Sequence, residues 1–340
     1  MVLVTGGLGF IGSHTVVALQ EKGYDVIIVD DLSNSSIDVI DGIEAASGIR
    51  PLFVELGIQN SVVLSTLFQK YDIKGIIHLA AFKSVGESVK NPIAYYQNNL
   101  GSLLSLLAEV EKTTSPIYFI FSSSCNVYGE VKKLPISENA PIQPAMSPYG
   151  NTKQIGEEIL SDAVAVIDQF SVISLRYFNP IGAHSSVAIG ELPLGRPQNL
   201  VPFITQTAAG IYPKLTVFGN DYPTADGTNI RDYIHVMDLA EAHVVALERL
   251  FEGKNNDDYE VFNLGTGKGS SVLEVIQSFE RVSGQKLPYE IGVRRDGDVI
   301  ATYADTTKAN NILGWKTKRS LDEAVSSAWE WEKKVRKLLK

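Results

Sequence analysis

The 340-residue chain predicts an α/β fold: a doubly wound parallel sheet followed by a smaller C-terminal domain. Three observations carry this. Short β-branched runs alternate with helical stretches through the first half of the chain. The runs are continuously apolar rather than alternating, as strands are when helices cover both faces of a parallel sheet. A glycine-rich turn also joins the first run to the first helical stretch, the usual start of a nucleotide-binding unit.

Strands are expected at Val2–Thr5, Val26–Asp30, Leu52–Val54, Ile76–Leu79, Tyr118–Ser122 and Val172–Arg176. The segments between them are long enough for right-handed crossovers. Two of these segments carry helical stripes, Leu100, Leu103, Leu104 and Leu107 on one and Ile155, Ile159, Ala163 and Val166 on the other. Each also has a second apolar flank, with Leu106 and Leu160, so a homodimer built through a helical bundle is expected. After Arg176 the texture changes. Residues 178–232 are rich in Pro, Gly and Asn, with one apolar helix near 200–209, and read as part of a substrate-binding domain. Residues 237–250 read as a helix and Tyr259–Leu264 as a strand that can return to the main sheet, with later helices at 271–283 and 321–337. The expected division is 1–179 for the cofactor-binding domain and 180–340 for the substrate-binding domain, with part of 233–265 returning to the first.

Composition sets bounds on function. Thirty basic against thirty-nine acidic residues give a net charge of −9, which argues against a broad nucleic-acid surface. No apolar run is long enough to span a membrane. The single cysteine, Cys125, leaves no intrachain disulfide to form, and the chain opens directly on a strand without room for a signal peptide. A cytoplasmic location is therefore expected. Nothing in the sequence calls for a metal.

The turn Thr5-Gly6-Gly7-Leu8-Gly9-Phe10-Ile11-Gly12 lies between the first strand and a helix. Glycines there let the backbone approach a pyrophosphate, whose charge then sits on the helix N-terminus. Asp30 ends the second strand, 18 residues past Gly12, at the separation expected of a ribose-binding acid. A carboxylate there accepts from the 2′-hydroxyl and repels a 2′-phosphate, so the cofactor is NAD rather than NADP.

Three further elements fall at successive strand ends, where open α/β sheets bind ligands. His78-Leu79-Ala80-Ala81-Phe82-Lys83 follows the fourth strand, Ser122-Ser123-Ser124 the fifth, and Tyr149 and Lys153 begin the next helix. Tyrosine and lysine four apart share one helix face. The ammonium is expected to lower the phenol's pKa, making Tyr149 a proton shuttle for an alcohol, with NAD taking the hydride. Ser124 is expected to hydrogen-bond the reacting oxygen. His78 reads as structural, because it ends a buried strand.

This combination resembles the extended short-chain dehydrogenase/reductases and, within them, the UDP-galactose 4-epimerase family. The resemblance covers residues 2 to about 331 and rests on VTGGLGFIGSHTV, KSVGES, SPYGNTK, RYFNPIGAH, FGNDYPTADGTNIRDYIHVMDLA, FNLGTG and RRDGD. It implies that Gly6, Gly9, Phe10, Ile11 and Gly12 line the pyrophosphate, with Asp30, Asp31, Leu32, Ser33, Asn34 and Ser35 on the adenosine half and Gly57 and Ile58 near the adenine. Ala80, Ala81, Phe82, Lys83, Asn98, Ser122, Tyr149, Lys153 and Phe178 would complete the cofactor site. A UDP-sugar would meet Ser124, Tyr149, Asn179, Asn199, Leu200, Val217, Phe218, Arg231, Arg295, Asp298 and Thr302. Two arginines suit a diphosphate, although Arg231 can also be read as an ion pair with Asp232.

The implied reaction is inversion at C4 of a UDP-hexose, UDP-galactose to UDP-glucose, through a 4-keto sugar. Thr302 stands where the family gates the sugar's 2-substituent. Its small size implies that UDP-N-acetylhexosamines are accepted as well. Two departures stand out: Gly57 occupies a position that is usually aspartate, and Cys125-Asn126 replaces the more usual Ala-Thr. The alternatives are a nucleotide-sugar 4,6-dehydratase, which needs an acid pair after the serine, and a catalytically silent NAD-binding regulator.

Overall fold

The computed structural model describes residues 1–337 apart from Lys132 and Asp296. Its centre is a seven-stranded parallel sheet of β1 (Val2–Thr5), β2 (Val26–Asp30), β3 (Leu52–Glu55), β4 (Gly75–His78), β5 (Ile117–Ser124), β6 (Phe170–Tyr177) and, late in the chain, β11 (Tyr259–Leu264). The spatial order is β11-β6-β5-β4-β1-β2-β3. Every neighbouring pair is parallel, so each return must cross over a face, and the order reverses between β1 and β4. That reversal opens a crevice at the strands' carboxyl ends.

The apolar runs are continuous because alternate residues serve opposite faces. Val2, Val4, Ile28, Ile77 and Ile120 pack on one side with α1 (Phe10–Glu21), α2 (Val39–Ser47) and α8 (Val236–Phe251). Leu3, Ile27, Ile76 and Phe119 pack on the other with α3 (Ser61–Lys70), α5 (Pro92–Val110) and α6 (Pro148–Val164). The short α4 (Val85–Lys90) precedes α5.

Leu106 and Leu160, expected to face a partner, are both fully buried in this second layer against the sheet. Helical periodicity marks an apolar flank without saying which neighbour covers it. Here the sheet does, and each leucine gains about 1.5–3 kcal/mol by that burial. It is Leu104 that remains exposed.

The remaining elements surround a second core. They are β7 (Asn179–Ile181), α7 (Leu200–Ala208), β8 (Leu215–Phe218), β9 (Ile230–Arg231), β10 (Tyr233–His235), β12 (Ser270–Ser271), α9 (Val272–Ser283), β13 (Tyr289–Gly292), β14 (Ala301–Thr302) and α10 (Leu321–Val335). Val201, Ile204, Val217, Phe279 and Trp329 form its centre. Small sheets β10-β7, β12-β9-β14 and β13-β8 tie it together. Capping boxes, Ser271 with Glu274 and Ser320 with Glu323, begin α9 and α10. Among the described residues, no helix is long and apolar enough to cross a membrane.

Candidate active site

The glycine turn sits at the crevice. Gly6 adopts φ +68°, and a side chain there would run into the Ala80 backbone. At Gly12 a Cβ would collide with the Gly6 carbonyl, so only glycine lets α1 start this close to β1. The side of Gly9 away from that carbonyl is open, leaving a cradle for a diphosphate above the first turn of α1. Asp30 fits the expected ribose role. Its Oδ2 accepts from Leu8 N at 3.0 Å, and its Oδ1 accepts from Leu32 N at 3.0 Å and Ser35 Oγ at 2.8 Å. One carboxylate thus holds both the glycine turn and the adenosine-side turn, while Asp31 anchors Ser33. These residues fit NAD.

Gly57 lies beyond β3, and a side chain built on it meets nothing within 4 Å. Gly57→Asp should therefore be accommodated and regain an acceptor for the adenine amino group. We expect NAD to bind about 5-fold more tightly, one net hydrogen bond's worth, as measured by calorimetric titration of cofactor-free protein. Unchanged or weaker binding would show that the adenine lies elsewhere.

Beyond β4, Ala80, Ala81, Phe82 and Lys83 form the next wall. This loop is held by a residue that sequence reasoning passed over. Asn99 Oδ1 accepts from Phe82 N at 2.8 Å, and its Nδ2 donates to Phe82 O and to Thr152 Oγ1, both at 3.0 Å. The neighbouring Asn98 donates only to Asn99. His78 is structural: it shares a 2.8 Å hydrogen bond with Thr5, and burial drives its pKa down to about 3, so the ring stays neutral.

Ser147 caps α6, accepting from Gly150 N at 3.1 Å, with Pro148 at the first helical position. This places Tyr149 in the first turn and Lys153 one turn on, both buried. Ser124, at the end of β5, acts on the Tyr149 hydroxyl and draws its pKa down. The expectation that Lys153 lowers the Tyr149 pKa is not met. Burial pushes the phenol above its ordinary value, with Tyr177, Cys125 and Tyr95 adding to the rise. Lys153 instead donates to Ser122 O at 2.6 Å and lies over the Phe121 ring. Burial drops its own pKa to about 8, against a raising influence from Glu157. Shared helix face brought the two residues together, but the ammonium is turned toward the carboxyl end of β5.

The other expected residues, all from the chain beyond β6, have varied surroundings. Phe178 is buried with Val127, Tyr128 and Ile136. Asn179 N donates to Asp232 O across β7–β10. Val217 is buried, so its side chain belongs to the core, while Leu200 is half-buried on α7. Arg295 stacks on the Phe218 ring at 3.9 Å. Arg231 pairs with Asp298 at 2.8 Å, not with its neighbour Asp232. Asp232 is instead a buried acceptor for Thr266 N, Thr266 Oγ1, Gly267 N and Ala304 N. Thr302 stands in register with Arg231 across β14–β9. Glu191, a second residue not foreseen, joins the two halves: Asn199 Nδ2 donates to it at 2.7 Å and Lys83 lies 3.7 Å away. An isolated acid in a proline-rich stretch carries no sequence signal for that role.

A family model described as GDP-mannose 4,6 dehydratase matches residues 3–328. The UDP-glucose 4-epimerase of Erwinia amylovora is 46% identical over 333 residues, 97% of each chain. Among solved structures, the UDP-glucose-4-epimerase of Stenotrophomonas maltophila, with bound NAD and formylated UDP-arabinopyranose, superposes with a TM-score of 0.95 at 44% identity, covering 99% of both chains. That of Bifidobacterium longum, in complex with NAD+ and UDP, gives 0.93 at 44% identity over 98% of both. With this degree of likeness over nearly its whole length, and with the glycine turn, Ser124, Tyr149 and Lys153 in place, the chain belongs to the UDP-glucose 4-epimerase family.

Proposed function

We propose that the protein inverts C4 of a UDP-hexose, converting UDP-galactose to UDP-glucose with NAD retained throughout. The observation that carries this reading is a division of labour. Proton-handling groups, Ser124, Tyr149 and Lys153, gather at the ends of β5 and α6, while groups suited to a nucleotide diphosphate, Phe218, Arg231, Arg295 and Asp298, gather on the second core. A sugar held only by its UDP can present either face to one reacting centre.

NAD, when bound, would supply the hydride acceptor and donor. The chain's own residues do the rest. Tyr149 takes the proton of the 4-hydroxyl as C4 is oxidised and returns it after the hexose has turned. Ser124 hydrogen-bonds the same oxygen as it passes between hydroxyl and carbonyl. Lys153 anchors the cofactor side of the site, through Ser122 O and the reach of its ammonium to the nicotinamide ribose. Arg231 and Arg295 neutralise the diphosphate, and Asn179, Asn199, Leu200 and Asp298 hold the rest of the nucleotide sugar. In this reading residues 1–179 serve the cofactor and 180–340 the UDP-sugar, with α8 and β11 returning to the sheet. The protein acts as a cytoplasmic homodimer through α5 and α6. The exposed Leu104 and a single cysteine support that part of the reading.

Incubation with UDP-galactose and no added NAD tests it: UDP-glucose should form. A dehydrated 4-keto-6-deoxy product would favour a dehydratase, and NAD binding without turnover a regulator. In the same assay UDP-N-acetylgalactosamine should also turn over, because Thr302 leaves room for the 2-substituent. Thr302→Tyr should lower that activity by about 10-fold or more relative to UDP-galactose. Turnover of UDP-galactose with none of the N-acetyl substrate would refute the broader specificity.

A further inference from the structure

Beyond Ser124 the chain makes a short 3-10 turn, Cys125–Tyr128, which Ser124 caps. Two donors from one residue converge on the Ser124 hydroxyl oxygen: Asn126 N at 3.2 Å and Asn126 Nδ2 at 3.0 Å. A serine hydroxyl has two lone pairs and one proton. With both lone pairs taken by N–H groups, the oxygen can accept nothing more, and its remaining capacity is to donate. The neighbours leave few places for that proton. Burial pushes the Cys125 thiol up to about 12, so it stays S–H and is a weak acceptor. Tyr149 lies within reach of the Ser124 side chain.

The position of Asn126 is itself set by the catalytic helix. A Cβ on Gly150, the residue after Tyr149, would lie 3.2 Å from Asn126 O and 3.4 Å from Asn126 Cβ, so the first turn of α6 packs directly on this residue.

We propose that Asn126 is a positioning residue that fixes the Ser124 hydroxyl as a donor toward Tyr149 and the reacting C4 oxygen. The proposal rests on the epimerase reading and deepens it. The reaction passes a proton between Tyr149 and the sugar oxygen, while C4 alternates between alcohol and ketone. A serine free to rotate could accept the 4-hydroxyl proton and compete with Tyr149 for it. A serine locked as donor cannot. It leaves Tyr149 as the proton acceptor in one half-reaction and polarises the C4 carbonyl when hydride returns in the other. The Asn at this position, a departure from the more usual Thr, thereby acquires a role.

Besides Ser124, the groups that act on the Tyr149 titration are Tyr177 from β6, Tyr95 from α5 and Cys125 from the turn, with Arg231 and Asp232 acting on Cys125 in turn, while Lys153 on its own helix is turned to Ser122 O. Because Asn126→Ala changes no charge and none of these groups, a change of pH profile in that variant reports on Ser124, whereas Asn126→Asp adds a charge of its own.

The test compares Asn126→Ala and Asn126→Asp with the natural protein in kcat, KM and the pH dependence of kcat on UDP-galactose. Asn126→Asp keeps the size of the side chain but at neutral pH can only accept, so it should capture the Ser124 proton. The expected order is Asn, then Ala lower by about 5- to 10-fold, then Asp lower by about 100-fold. KM should stay within about 2-fold, and the acidic limb of kcat should move to higher pH in both variants. A merely structural role predicts the reverse, with the near-isosteric Asp tolerated better than Ala. That order, or unchanged profiles in both variants while the natural protein turns over, would overturn the role of Asn126 alone. An inactive natural protein would overturn the epimerase reading together with it.

Discussion

Replacing Tyr149 with phenylalanine should lower kcat for UDP-galactose by about 10²- to 10⁴-fold, the range spanned by a positioned general acid–base, while leaving NAD and UDP affinity within about 2-fold. The ring is buried, so Phe preserves the packing. Only the hydroxyl is lost, and with it the group that receives the 4-hydroxyl proton. The phenol's raised pKa in the protein alone makes the prediction sharper. Burial disfavours the phenolate, Lys153 is turned to Ser122 O, and Ser124 favours the phenolate, so a bound oxidised cofactor, with its positive charge, would lower the Tyr149 pKa further. The pKa governing kcat should therefore lie below that of Tyr149 in cofactor-free protein, which a spectroscopic titration of both forms would measure. Full activity in Tyr149→Phe would remove the tyrosine from the mechanism.

The second large effect is expected at Glu157. This buried carboxylate lies one turn beyond Lys153, accepts from Ser123 Oγ on β5, and receives Arg176 in a two-pronged pair, Nε on Oε1 at 2.9 Å and Nη2 on Oε2. Arg176 in turn covers the Tyr128 ring, whose hydroxyl donates to Asn263 on β11 at 2.6 Å. Glu157→Ala leaves a guanidinium buried without its counter-ion and should cost about 3–5 kcal/mol in urea unfolding.

A catalytic signature should accompany that loss. Glu157 raises the Lys153 pKa against burial, which holds it to about 8. Without Glu157 the ammonium loses its proton at lower pH, and the alkaline limb of kcat should move to lower pH. The double variant Glu157→Leu/Arg176→Met should regain most of the stability but not the pH profile. A single variant within about 1 kcal/mol of the natural protein would show that this network does not hold the catalytic helix to the sheet.

Strand positions follow directly from the sequence where burial is continuous. The strands at Val2–Thr5 and Val26–Asp30 appear at the expected residues, because a buried parallel strand leaves a continuous apolar run that turn residues bound. Tyr259–Leu264, read as strand-like, joins the sheet beside β6. β3, β5 and β6 run longer than expected, and β4 is displaced by one residue, Gly75–His78 in place of Ile76–Leu79. β5 continues through Ser124 because ladder hydrogen bonds to β6, rather than side-chain polarity, decide where a strand ends. The direction of Leu106 and Leu160 was misread, since a helix with two apolar flanks does not say which flank meets the sheet.

Local chemistry in the sequence was enough to specify the doubly wound fold and the glycine turn, and to propose Asp30 as a ribose acid and Ser124, Tyr149 and Lys153 as a proton shuttle. Each depends on local chemistry: glycine where the backbone must turn, a carboxylate at a strand end, a tyrosine and a lysine four apart on one helix. Packing set the partners those and neighbouring residues meet. It turned Lys153 toward Ser122, gave Arg231 to Asp298, clamped the 80–83 loop with Asn99, joined Lys83 to Asn199 through Glu191, and placed two Asn126 donors on Ser124. The physical reason is common to all five. A hydrogen bond or ion pair is set by which atoms the packed elements bring within about 3 Å, and for most of these residues the partner lies on another element, far away in sequence.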